Sequence, residues 1–163
     1  MVDVIPAGAG ADLASLLLQW RTQINSNYAP GWTTITPTWT SSGTAPAIGN
    51  GSLTGKYRRS ANSDIVHFWI RLLIGSTTTF GTGVYRFGIG AAPALSASAK
   101  LWAAPTGWVR DASSTANFGI VARWDSASNT FIPSEQGSLM TPTTPVALAN
   151  TDELALQGWY EPA

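Results

Sequence analysis

Cysteine is absent from this 163-residue chain. That excludes disulfides, zinc–thiolate sites and a thiol nucleophile together. Histidine occurs once, at His67, so no metal site can be built on several imidazoles. Charge is also scarce. Asp, Glu, Lys and Arg make up 11% of the residues and the formal net charge is zero. A phosphate backbone is captured by a positive field, and none is available here, so nucleic acid is not an expected partner. Long hydrophobic runs are missing too. The longest, "IVHFWIRLLIG", is interrupted by His67 and Arg71 and is too short to span a bilayer, so no membrane insertion is expected. The opening "MVDVIPAGAGADLASLLLQW" has no basic region and carries Asp3 and Asp12, unlike a secretory signal. Neither "GNG" at 49–51 nor "GTG" at 81–83 leads into the Lys-Ser/Thr of a phosphate loop. No cofactor and no metal are expected.

What is present divides into two regions, an arm and helix at 1–30 and a β-domain at 31–163. Residues 1–10 are small and Gly-rich and read as an extended arm. Residues 12–25, "DLASLLLQWRTQIN", lack Pro and Gly and predict a helix of about 21 Å. Asp12 is placed to cap its start, and Asn25, Asn27 and Pro30 to end it. Leu13, Leu17, Trp20 and Ile24 are spaced four, three and four, the seam of a short heptad pattern. So short a helix is marginal alone in water. It must lean on its own domain or on copies of itself.

From Trp32 onward Thr, Val, Ile and aromatics alternate with Gly and Pro turns. Strands are expected near 33–40, 53–60, 64–74, 84–89, 117–125, 129–133 and 152–160. The clearest is 64–74, where Val66, Phe68, Ile70, Leu72 and Ile74 share one face. The expected class is all-β, an antiparallel β-sandwich of jelly-roll type with a short N-terminal helix. "PAIGNGSLTGKYRR" at 46–59 reads as a tight turn feeding a strand, with glycine and asparagine supplying positive φ. The small-residue stretch 88–108 reads as a long irregular loop with at most one helical turn.

Chemistry is sparse. His67 and Asp64 lie three apart on a strand, on opposite faces, and form no dyad by local geometry. His67 therefore reads as a half-exposed strand residue. The nine acids sit mostly at strand ends and turns, as solvated acids do, and no carboxylate pair stands out for glycoside hydrolysis. No catalytic residue is assigned. Eight tryptophans remain. Most read as core or interface, while Trp102 and Trp108, in the long loop, are candidates for stacking on a ligand. Lys56 and Arg58 share a strand face, opposite Tyr57 and Arg59. They read as a solvated outer face or as contacts for an acidic cell-wall polymer.

Several stretches together resemble a known family. They are "WTSSGTAPAIGNGSLTGKYRR", "VHFWIRLLIGSTTTFGTGVYRFGI" and the ending "LALQGWYEPA". Within them stand Trp39-Thr40, Gly49-Asn50-Gly51, Tyr57-Arg58, Phe80 to Gly83, and Gly158 to Glu161. Over roughly 32–163 the chain resembles the C-terminal β-sandwich domain of minor tail and other virion-surface proteins of phages infecting actinobacteria. The resemblance implies a non-enzymatic, often trimeric virion structural protein on the particle surface. Its implied partners are itself, as a homotrimer, and other tail or capsid proteins, with a host cell-wall glycan as a further one. A tail-tip or fibre component for receptor binding is the first expectation. A head decoration protein is the alternative, and a polysaccharide-degrading enzyme a remote one. Such domains usually end longer proteins, whereas here a short arm and one helix precede the domain, which favours a compact knob over a long fibre.

Overall fold

The computed structural model describes residues 13–28, 31–59, 65–90, 92–97 and 103–163. It shows a mostly antiparallel β-protein with one helix, α1 (Leu13–Tyr28). The strands are β1 (Thr33–Ile35), β2 (Thr38–Ser41), β3 (Ser52–Arg59), β4 (Val66–Leu73) and β5 (Tyr85–Gly88). They continue with β6 (Thr106–Asp111), β7 (Ala116–Asp125), β8 (Thr130–Glu135), β9 (Ser138–Leu139) and β10 (Glu153–Tyr160). All join one ten-stranded sheet, ordered β1-β3-β4-β10-β6-β7-β8-β5-β2, with β9 paired beside β8. All-β is therefore the observed class.

The sheet curls around one core. Alternation on β4 buries Val66, Phe68, Ile70 and Leu72, and the paired β10 adds Leu154, Leu156 and Tyr160 to the same side. Phe68 of β4 stacks on Phe131 of β8 with ring centroids 5.2 Å apart, so strands distant in the sheet order meet across the interior. Gly158, opposite Phe68 in the register, leaves room for that ring. Tyr85 and Tyr160 are buried but send their hydroxyls to the carbonyls of Phe80 and Pro93, at 3.0 and 2.6 Å. Burial pushes both phenols up from their usual range.

The expected strand 33–40 is in fact two. Pro37 has no N–H to donate, and the chain turns at Thr36–Pro37. The consequence is topological, because β1 and β2 are the two edges of the curled sheet. Two glycines let the backbone approach closely at this corner. A Cβ on Gly55 would lie 2.6 Å from Pro37, and one on Gly90, at φ +60°, would strike the Thr36 carbonyl.

Helix α1 runs to Tyr28, past the end expected at Asn25. Asparagine only weakens a helix, whereas Pro30 forbids its continuation. Asp12, the expected cap, lies outside the described residues. So does the arm at 1–10.

The stretch 88–108 is less irregular than its composition suggests, because β6 begins within it, at Thr106. Before that, Leu95 bridges to Pro162, and Ser96 donates to the Glu161 carbonyl at 2.8 Å. The chain end thus holds the loop down. The strand expected at 129–133 extends through Pro133 to Glu135. Pro133 has no N–H to donate, but its carbonyl accepts the Met140 N–H, while the Met140 carbonyl accepts from Tyr85. Met140 fills the gap where β8 and β5 diverge.

Two motifs of the sequence interlock. The β2–β3 connection runs antiparallel to the β4–β5 connection, with Ala47 and Thr79 exchanging both backbone hydrogen bonds at 2.9 Å. Asn50 Oδ1 accepts the N–H and the hydroxyl of Thr77 at 2.9 and 3.0 Å, and Asn50 Nδ2 donates to Ser76 Oγ. Gly49 adopts φ +59°, as the turn reading requires. The Gly-Asn-Gly turn is therefore a lock between two connections as well as the entry to β3.

The β6–β7 and β7–β8 hairpins use one pattern: Asp, then Ser three residues on, then a left-handed residue. Asp111 binds Ser113 and Ser114 before Thr115 at φ +57°, and Asp125 binds Ser128 before Asn129 at φ +52°. Hydrogen bonds from Ser114 and then Ser113 hold the Asp111 carboxyl down at about 2, against an ordinary 3.8. A group with a lowered folded pKa contributes stability above its unfolded pKa and loses it as pH falls through the folded one. Asp111 therefore contributes fully above about pH 4 and ceases to contribute near pH 2. Acid titration of stability should show a shallower fall over that window in Asp111→Asn. An identical profile for the variant would remove this assignment.

Candidate functional site

The outward face of β3, β4, β10 and β6 gathers side chains that are far apart in the chain. Period two puts Lys56 and Arg58 outward on β3, His67 and Trp69 on β4, and Gln157 and Trp159 on β10. The register sets them in rows. One row is Lys56, Trp69, Gln157 and Thr106, and the next is Arg58, His67 and Trp159. Trp32, just before β1, extends the second row, since Thr33 is already opposite Tyr57. These residues line an open groove of about 470 Å³, within the size range of small-ligand sites.

Its chemistry is aromatic and cationic. Lys56 Nζ lies 5.0 Å from the Trp32 ring centroid and 5.4 Å from that of Trp69. The Arg58 guanidinium lies 5.0 Å from Trp32. Each contact is at cation–π distance. Trp32 is 44% exposed and Trp159 49%. Among the described residues no carboxylate pairs with Lys56 or Arg58. On the same face Arg71 is engaged, because its Nε donates to Glu153, and that hydrogen bond raises the guanidinium pKa further. The groove thus holds two cations, Lys56 and Arg58, that no described carboxylate pairs.

The candidates named from the sequence fall out unevenly. Lys56 and Arg58 share one face of β3, as their spacing predicts, and both line the groove. Trp108 does not sit in a loop. It lies on β6, outward, in register with Ala155 and two residues from Thr106. A strand was hidden there because its inward positions are Gly107, Val109 and Asp111, which give little apolar alternation. Trp102 lies outside the described residues, and so does Asp64, so the His67–Asp64 pair cannot be placed. On α1, Leu17 and Trp20 are 55% and 57% exposed. The side chains of Leu13 and Ile24 lie outside the described residues. Over Ala14–Gln23 no residue is buried, and only Leu16 is half-buried.

No local pattern in the sequence groups Trp32, His67, Trp69 and Trp159 into a common site. Parity was the available signal. It puts Trp69 and Trp159 on the polar faces of their strands, but only the register shows that those faces adjoin. Among the described residues no group of three or more His, Asp or Glu side chains could hold a metal ion. No described helix is long and apolar enough to cross a membrane. Comparison of the chain with protein families, curated proteins and solved structures found no match.

Proposed function

We propose that this chain is a non-enzymatic structural protein of a phage particle surface, of the tail-tip or fibre type, whose β-domain meets the host surface. The observation that carries the assembly half of this reading is α1. Leu17, Leu18 and Trp20 are each more than half exposed on a single chain, and apolar surface of that kind is ordinarily covered by a partner. Leu17 and Trp20 belong to the heptad spacing of Leu13, Leu17, Trp20 and Ile24, which fits copies of the same helix, and we read the assembly as a homotrimer. The curled sheet, with Phe68 meeting Phe131 across the core, is read as a jelly-roll-like sandwich. Two segments that carry the family resemblance, Gly49-Asn50-Gly51 and the connection at 75–84, belong to one interlocked unit, which supports treating them as a single motif. The outward groove supplies the adhesive half, and symmetric copies would multiply a weak site into useful avidity.

The test joins location to assembly. Antibody to this chain should label intact particles at the tail tip in cryo-EM images. Purified protein should sediment as a trimer, and the double variant Leu17→Asp with Ile24→Asp as a monomer with an unchanged circular dichroism spectrum. A wild-type monomer, or a double variant that stays trimeric, rejects the helix as the assembly seam. Absence of label from particles rejects the location. Release of reducing sugar from host walls, lost on changing a single Asp or Glu, rejects the non-enzymatic reading.

A further inference from the structure

We propose that the outward groove binds an acidic polysaccharide, with sugar rings stacked on Trp69 and Trp159 and carboxylates paired to Lys56 and Arg58. This rests on the reading of the domain as a surface adhesin and names the ligand class that its groove would take.

Three features point the same way. The first is stacking surface. The apolar C–H face of a pyranose packs on an indole, and Trp159 is half exposed beside a partly exposed Trp69. The second is charge. Lys56 and Arg58 line the groove with no carboxylate paired to either among the described residues, and their neighbour Arg71 is already paired to Glu153. Cation–π contact holds Lys56 in place without neutralising it. Carboxylates on the stacked sugars would supply counter-charge to both cations. The third is hydroxyl recognition. Gln157 lies between Trp69 and Thr106 in the register, so a donor–acceptor amide and a hydroxyl adjoin the stacking surface.

A neutral glycan would leave the two cations unused. Single-stranded nucleic acid also combines stacking with positive charge, but it needs a cationic track over several nucleotides. Here two open cations stand at one short groove, and a carboxylated sugar fits that count better.

The probes are oligogalacturonate, the same oligosaccharide with its carboxylates methyl-esterified, and oligothymidylate of equal length. Each is titrated against the full chain by calorimetry and tryptophan fluorescence. Oligogalacturonate should bind and weaken with added salt, and esterification should weaken it about tenfold or more. Trp69→Ala and Lys56→Gln should each lower affinity about tenfold. Arg123→Gln, outside the groove, should leave it unchanged. Urea midpoints of all three variants confirm that they fold, and Trp159→Ala, at a more exposed position, replaces Trp69→Ala if that variant does not. Equal binding of the ester, equal or tighter binding of oligothymidylate, variants that retain full affinity, or no oligogalacturonate binding would each overturn the proposal. Host-cell adherence is measured separately. Adherence without oligogalacturonate binding defeats this ligand class alone, whereas oligogalacturonate binding without adherence defeats the adhesin reading alone.

Discussion

Phe131→Ala is expected to lower the stability of the β-domain by about 3–5 kcal/mol, the range for emptying a buried aromatic position. Phe131 has no solvent exposure. Its ring stacks on Phe68 at 5.2 Å and meets Trp124 edge-on at 4.9 Å. It also stands opposite Phe87, the residue through which β8 pairs with β5. Truncation therefore opens a cavity between facing parts of the sheet and loosens its thinnest ladder at the same place. Urea denaturation of variant and wild type checks this, with Phe131→Leu as a partial replacement that should lose less. A loss under about 1 kcal/mol for alanine would mean that the interior collapses freely around the site, which a tightly packed core does not do.

Asp152→Ala is the second large effect, at about 2–4 kcal/mol, because it orphans hydrogen-bond donors around a buried carboxylate. Asp152 is 1% exposed. Its Oδ1 accepts the Ala112 N–H at 2.9 Å and its Oδ2 the Ala149 N–H at 2.8 Å. Its backbone carbonyl accepts the Ile74 N–H at 2.9 Å. One residue thus ties the β6–β7 turn, the segment before β10 and the end of β4. Asp152→Asn keeps one acceptor and should lose less. Equal stability of wild type and Asp152→Ala in the same urea experiment would show that water replaces the carboxylate.

The sequence showed β4, β7 and β10 clearly because each has one dry face and one wet face, so apolar residues recur every second position. Val66 to Leu72 is of this kind, and β10 follows it from Leu156 to Tyr160, although Ala155 is buried as well. Strand β8 escapes that rule. Phe131, Ile132 and Pro133 are all buried, so both of its faces are covered there. Strand β6 was hidden for another reason. A Cβ at Gly107 would collide with the Ala155 carbonyl, so close approach of β10 requires glycine where a large apolar residue would have announced a strand. For the groove, local parity placed Lys56, Arg58, Trp69 and Trp159 on outward faces. Adjacency was not local information. It depends on β10 inserting between β4 and β6, a long-range pairing that no window of neighbouring residues encodes.

The corner at Thr36–Pro37 also governs how copies of this protein can and cannot associate. Both borders of the sheet belong to one short stretch of chain. Neither offers a long row of free amides and carbonyls onto which a second molecule might grow, so fibril-like stacking and strand exchange are disfavoured from the start. Contacts between molecules are left to the broad sides of the sheet and to the leading helix. The same economy makes the two borders share one fate: a break at Pro37 would release them together.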